Sequence, residues 1–167
     1  MAIPFFMLAG SVISTGGIAK RIVAFASALV DFLTGAVGCV AMVACMFFGA
    51  LSGSGMATTA AIGGMMIPEM KDKGYDPAYA ATLVCFGGTV GPIIPPSLSF
   101  VLYGATTKTS VPELFKAGIL PGILIGVTFL VVNVIICRRT KTDVTVKTEK
   151  LPLKQILWTR LKLVGKA

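Results

Sequence analysis

The sequence contains no histidine, 7 acidic residues against 15 basic ones, and 13% charged residues in all, where an average soluble domain carries about 25%. Each shortage removes a class of function. Without histidine there is no imidazole ligand for a metal and no imidazole acid–base group. The few acids do not pair within the apolar runs, and no activated nucleophile is visible, so a membrane-embedded enzyme is disfavoured. The four cysteines, Cys39, Cys45, Cys85 and Cys137, sit singly in apolar runs without metal-ligand spacing, and they read as small buried hydrophobes. No basic face alternates with aromatics, so nucleic acid is not expected as a partner. No positively charged stretch precedes Ile3-Pro4-Phe5-Phe6-Met7-Leu8, so no secretory signal is read, and residues 1 to 13 are expected to be the exit of a membrane helix whose beginning is absent.

What remains is apolar. Hydrophobic residues make up 55% of the chain, with a mean hydropathy of +0.88, the composition of an integral membrane protein. The net charge of +8 lies mostly outside the apolar runs, a pattern suited to membrane topology and anionic headgroups. After Ser14-Thr15-Gly16-Gly17, residues 18 to 33 place Ile18, Ile22, Phe25, Ala26, Leu29 and Phe32 at helical spacing with Lys20, Arg21 and Asp31 between them. That spacing predicts an amphipathic helix at the membrane interface or an ordinary connecting helix.

Residues 35 to 70 are almost uncharged until Glu69 and are bracketed by Lys20 and Arg21 before and Lys71 and Lys73 after. If basic flanks mark the cytoplasmic side, this segment enters and leaves on one face. Two full crossings need roughly 40 residues, more than this segment holds. A re-entrant helical hairpin with its tip at Ser52-Gly53-Ser54-Gly55 is the economical solution; one spanning helix with small residues for close packing is the other. Next, Asp76 and Pro77 are a candidate N-cap and first helical residue. They open a run to about residue 105 that is long enough to cross once, but not as one helix. Pro92, Pro95 and Pro96 each lack an N–H, and Gly87, Gly88 and Gly91 loosen the turn before them. Two half-helices are predicted, about 77 to 89 and 97 to 104, joined by unwound backbone near the midplane. A spanning helix over about 113 to 137 follows, with Pro121 and Gly122 as possible kink points, ending at Arg138-Arg139-Thr140-Lys141. Residues 142 to 167 read as a basic cytoplasmic tail with a short surface helix.

In lipid, non-helical backbone survives only where it is buried in protein or lines a polar cavity, so the two breaks are the candidate site. Unwound carbonyls and half-helix ends attract small ions and charged solutes. The hydroxyls of Ser52 and Ser54 at the tip and of Ser97 beside the Pro-rich break add hard oxygen ligands that suit Na⁺. Helix N-termini from Met56 and Ser97 onward would favour an anionic group. The opposing reading is a structural or assembly subunit whose breaks serve packing alone. A channel would call for a selectivity ring, and none is visible.

Several motifs in order carry a resemblance. They are Ile3-Pro4-Phe5-Phe6-Met7-Leu8-Ala9-Gly10; Met46-Phe47-Phe48-Gly49-Ala50-Leu51-Ser52-Gly53-Ser54; Ile67-Pro68-Glu69-Met70 with Gly74-Tyr75-Asp76-Pro77; Gly91-Pro92-Ile93-Ile94-Pro95-Pro96-Ser97 followed by Tyr103-Gly104; and Ala117-Gly118-Ile119-Leu120-Pro121-Gly122. Residues 2 to 137 resemble the N-terminal half of the large membrane subunit (DctM-like) of tripartite ATP-independent periplasmic (TRAP) transporters. The resemblance implies an all-α integral membrane protein, one repeat over residues 1 to 141 of an inverted-repeat, elevator-type transporter. It implies import of organic acids such as C4-dicarboxylates or sialic-acid-like carboxylates across the bacterial inner membrane, with Na⁺ as coupling ion and no other cofactor. The implied partners are a periplasmic substrate-binding protein and a small membrane subunit. The implied Na⁺ site is Ser52 and Ser54 with Gly87, Val90 and Pro92. The implied substrate-binding set is Ser54, Thr58, Pro95, Pro96 and Ser97, though many relatives are acidic where this chain has Thr58. A second, inverted repeat would supply the other wall of the cavity.

Overall fold

A computed structural model describes residues 17–30, 32–140 and 142. The expected helix exit at 1 to 13 and the expected surface helix in the tail lie outside the described residues. Among the described residues all regular structure is helical. Helix α1 is Ile18–Val30, α2 is Ala36–Ser52, α3 is Gly55–Asp72, α4 is Pro77–Val90, α5 is Leu98–Thr107 and α6 is Val111–Thr140, with a 3₁₀ turn at Gly91–Ile93 after α4.

Helix α2 is the centre, touching α1, α3, α4, the 3₁₀ turn and α6. Its sequence is apolar on all sides, and 14 of its 17 residues are buried, the signature of a helix with protein all round it. At 1.5 Å per residue it is about 26 Å long, shorter than the ~30 Å hydrocarbon core. Gly53, at φ 65°, turns the chain in the left-handed region that glycine adopts without strain, and its N–H closes the helix onto the Gly49 carbonyl at 2.8 Å. Two residues later α3 begins and folds back along α2, burying Ile62, Met66 and Met70. Helix α1 lays Ile22 and Ala26 on the same core, and its Phe25 meets Phe47 edge-to-face. It ends at Val30, so Phe32, expected on its apolar face, is instead 60% exposed.

Asp76 caps α4 as its sequence suggests, its Oδ1 accepting the N–H groups of Ala78 and Tyr79 at 2.9 and 3.0 Å with Pro77 in the first turn. The helix runs unbroken through Gly87 and Gly88 to Val90. These glycines do not loosen the turn. They are sites of close approach, because a Cβ on Gly87 would stand 2.7 Å from the Cβ of Cys45. The break falls where the prolines are, and α4 with its 3₁₀ turn meets α5 at a bend of 42°.

Helix α6 has 30 residues and is the one described helix long and apolar enough by itself to cross a membrane. It passes Pro121 without interruption. Gly118, Gly122, Gly126, Asn133 and Cys137 form its buried stripe, while Leu120, Leu124 and Val127 face outward. Stacking of Phe86 on Phe129 and contact of Phe100 with Phe115 tie it to α4 and α5.

Candidate functional site at the meeting of two breaks

The hairpin tip is held by its own hydroxyls. Thr58, fully buried, donates from Oγ1 to the Ser54 carbonyl at 2.7 Å, and Ser52 Oγ lies 3.2 Å from the same Thr58 oxygen. The Ser54 N–H donates to Ser52 Oγ at 3.4 Å, and Ser54 Oγ accepts the Ala57 N–H at 3.3 Å as the N-cap of α3. Here the C-terminal end of α2 and the N-terminal end of α3 stand side by side, so partial negative and partial positive poles adjoin at one tip.

Backbone contact brings this tip to the second break. A Cβ on Gly55 would lie 2.8 Å from the Gly88 carbonyl oxygen, and one on Gly88 would run into Thr59 Oγ1 and stand 2.9 Å from the Gly55 carbonyl. Deeper down, a Cβ on Gly49 would be 2.6 Å from the Gly91 Cα and 3.3 Å from the Pro92 ring. Only glycine lets main chains approach this closely. Residues flanking the two breaks, far apart in sequence, thus share one contact.

A cleft of about 630 Å³ opens beside that contact, lined by Ser54, Gly55, Met56, Thr59, Ala60, Cys85, Gly88 and Thr89. Its surface is mostly apolar, with Met56 and Ala60 beside a few hydroxyls and the Cys85 thiol, and it carries no charged side chain. Thr89 is internally satisfied, donating to the Phe86 carbonyl at 2.7 Å. Cys85, expected as a buried hydrophobe, is exposed here, while Cys39, Cys45 and Cys137 are buried. Glu69, the acid near the hairpin's base, is exposed and away from the tip.

The residues named from sequence separate into three groups. Ser52, Ser54 and Thr58 form the tip cluster; Gly87 and Val90 lie in the last turn of α4, with Val90 buried, and Pro92 in the 3₁₀ turn that follows. Pro95, Pro96 and Ser97 lie beyond the cleft lining, on the part of the break next to α6, where Ile93 and Ile94 pack on Gly118 and Gly122. Ser97 is fully buried, and its hydroxyl is the one buried side-chain oxygen among the described residues that lacks a partner.

A second polar cluster escaped sequence reasoning. Asn133, fully buried on α6, donates from Nδ2 to the Gly35 carbonyl at 3.1 Å and to Cys39 Sγ at 3.2 Å, and its Oδ1 accepts the Tyr79 hydroxyl proton at 3.0 Å. The Tyr75 hydroxyl accepts the Gly38 N–H at 3.2 Å and the Cys137 thiol proton at 3.4 Å. The available signal was a lone amide in an otherwise apolar spanning run.

The model of the family described as "Tripartite ATP-independent periplasmic transporter, DctM component" matches residues 1–164. The chain belongs to the DctM family. That match runs past Cys137 into the tail, further than the recognised motifs reach. Among curated DctM relatives, the C4-dicarboxylate TRAP transporter large permease of Pseudomonas aeruginosa is 48% identical over 141 residues, covering 84% of this chain and 33% of the relative. The 2,3-diketo-L-gulonate TRAP transporter large permease of Escherichia coli is 42% identical over 130 residues, 78% of this chain and 31% of the relative. The sialic acid TRAP transporter large permease of Vibrio cholerae is 37% identical over 139 residues, 83% of this chain and 33% of the relative. This DctM chain therefore spans about a third of the length of these relatives. All three are named as permeases, and none of the names describes an enzyme. With this membership the helices read as an all-α integral membrane fragment comprising a helical hairpin, a discontinuous helix and a spanning helix.

Proposed function

We propose that this chain forms one wall of the solute path in a Na⁺-coupled importer of organic acids in the bacterial inner membrane, with its basic tail in the cytoplasm. The observation that carries the reading is the glycine-to-glycine contact joining the hairpin tip to the broken helix. It gathers the helix ends at the tip and the Ser52, Ser54 and Thr58 hydroxyls beside an uncharged cleft. Hard oxygen donors without a fixed negative charge suit a small monovalent cation held largely by carbonyl dipoles. In this reading Ser52 and Ser54 with the backbones of Gly87, Val90 and Pro92 hold Na⁺. Ser54 faces the solute, with Thr58 bracing it and Pro95, Pro96 and Ser97 shaping the far side of the path. The first turn of α3 offers its N–H groups to a carboxylate.

The solutes in the names of these three relatives, a C4-dicarboxylate, a diketogulonate and a sialic acid, are carboxylates, and a further relative is named for isethionate, a sulfonate, which supports an organic acid as the solute class. Membership of a periplasmic-transporter family supports delivery by a periplasmic binding protein and pairing with a small membrane subunit. The opposite wall belongs to a second repeat.

The test uses the full-length transporter. Solute uptake is expected to rise with external Na⁺ and to fall at least tenfold at low Na⁺ in the double variant Ser52→Ala, Ser54→Ala, with protein amount maintained. Unchanged uptake would sink the ion assignment and favour breaks that serve packing alone.

A further inference from the structure

We infer that Asn133 is a positioning residue for the ion site, acting through the base of α2 without touching the tip; this rests on the proposed Na⁺ reading. The argument begins with what α2 lacks. Its N-cap is Gly35, in the left-handed region at φ 75° with no side chain to cap the helix. The first N–H groups of a helix have no partner inside it and need one elsewhere when buried. The Gly38 N–H finds it in the Tyr75 hydroxyl, and the Gly35 carbonyl, which already accepts the Cys39 N–H at 3.0 Å, is also bound by Asn133. The start of α2 is thus held by side chains of the α3–α4 turn and of α6.

Beyond its base, α2 reaches α4 through the Cys45 thiol and the Val84 carbonyl, 3.9 Å apart. It is apolar all round, and in lipid there is no hydrophobic force to prefer one depth or rotation of such a helix over another. Close contacts such as Gly49 on Gly91 and Cys45 on Gly87 hold α2 against α4 and the 3₁₀ turn, and a side-chain amide adds direction to that packing. Directional hydrogen bonds do specify register, as a single buried amide does in coiled coils. The fit at this point is also tight: a Cβ on Gly38 would stand 2.6 Å from Asn133 Oδ1, and one on Gly35 would stand 2.7 Å from Cys137 Sγ. A helix carries displacement along its axis with little loss, so the depth fixed at Gly35 fixes the depth of Ser52 at the other end. Tyr79, bonded to the Oδ1 of Asn133, ties the same point to α4, the helix that carries Gly88 and Val90. One amide therefore ties the bases of both halves of the proposed ion site, in addition to the contacts that join them at the tip.

In the full-length transporter, Asn133→Leu and Tyr79→Phe are compared with the unaltered protein for the Na⁺ concentration that gives half-maximal uptake. The expected result is a rise of roughly threefold to tenfold in Asn133→Leu, the range that membrane interhelical hydrogen bonds correspond to, and a smaller rise in Tyr79→Phe. The solute concentration for half-maximal uptake at saturating Na⁺ should stay the same. A purely structural role would lower the amount of folded protein and leave both constants in place, and that outcome overturns the inference. Should Asn133→Leu fail to accumulate, Tyr79→Phe decides: an unchanged Na⁺ constant there overturns it too. Uptake by the unaltered protein that ignores Na⁺ would overturn the ion reading itself, a result separable from Na⁺-dependent uptake with unshifted variants.

Discussion

Gly88 and Gly64 are both helical glycines, yet one methyl group should act in opposite directions at the two. At Gly88 a Cβ meets Thr59 Oγ1 and the Gly55 carbonyl, whereas at Gly64 it meets nothing within 4 Å. Gly88→Ala is expected to destabilise by about 1 to 3 kcal/mol through overpacking and to push the tip away from α4. Gly64→Ala should stabilise by roughly 0.5 to 1 kcal/mol through reduced backbone freedom in the unfolded chain. Thermal unfolding of the two variants in detergent checks the pair, and equal shifts would mean that the tip and α4 do not touch at Gly88. The sequence marked Gly87, Gly88 and Gly91 as unusual but suggested loosening, since a glycine's cost in a helix is local and visible. What those glycines allow is a contact with Cys45, Gly49, Gly55 and Thr59, and no local rule names a partner more than 25 residues away.

At the scale of elements, helix boundaries were legible because their signals are local. Asp76-Pro77 starts α4, Gly53 ends α2, and Pro92 to Pro96 remove the donors that would continue α4. Facing was less legible. The stripe Gly118, Gly122, Gly126 on α6 recurs every four residues, but it sits in a run so apolar that periodicity hardly separates the buried side from the lipid side. The fold resolves it: Gly118 lies on Phe100 and the Ile93 carbonyl, Gly122 on Ile94, and Gly126 on Met46. Gly122→Val should then force α6 off the break and destabilise by about 1 to 3 kcal/mol. Leu124→Ala, on the exposed side at 63%, should change stability little. Thermal unfolding of the two variants in detergent distinguishes them, and similar shifts would contradict this orientation of α6. Both Pro121 and Pro68 fall inside continuous helices, so a lone proline did not predict a break; the cluster of three did.

For the whole molecule, the hairpin and the broken helix imply a definite topology. If α4 with α5 crosses the bilayer once and α6 crosses it again, Lys73 and Arg139 lie on one side and Ser110, between α5 and α6, on the other. Single-cysteine variants at these positions, treated with a membrane-impermeant maleimide in oriented vesicles, should show Lys73→Cys and Arg139→Cys labelled together and Ser110→Cys labelled from the opposite face. Labelling of Lys73→Cys and Ser110→Cys from the same face would rule out α4 and α5 as one discontinuous crossing. The sequence by itself determined the class, the helices and the two breaks, because composition, basic flanks and helix-breaking residues act over a few neighbours at a time. Only the tertiary structure decided that the breaks meet, that Thr58 turns inward to brace Ser54, that Cys85 opens onto the cleft, and that Asn133 anchors the base of α2. Those outcomes depend on close packing between distant segments, where a missing Cβ or one directional hydrogen bond selects among arrangements that apolar contact alone leaves nearly equal.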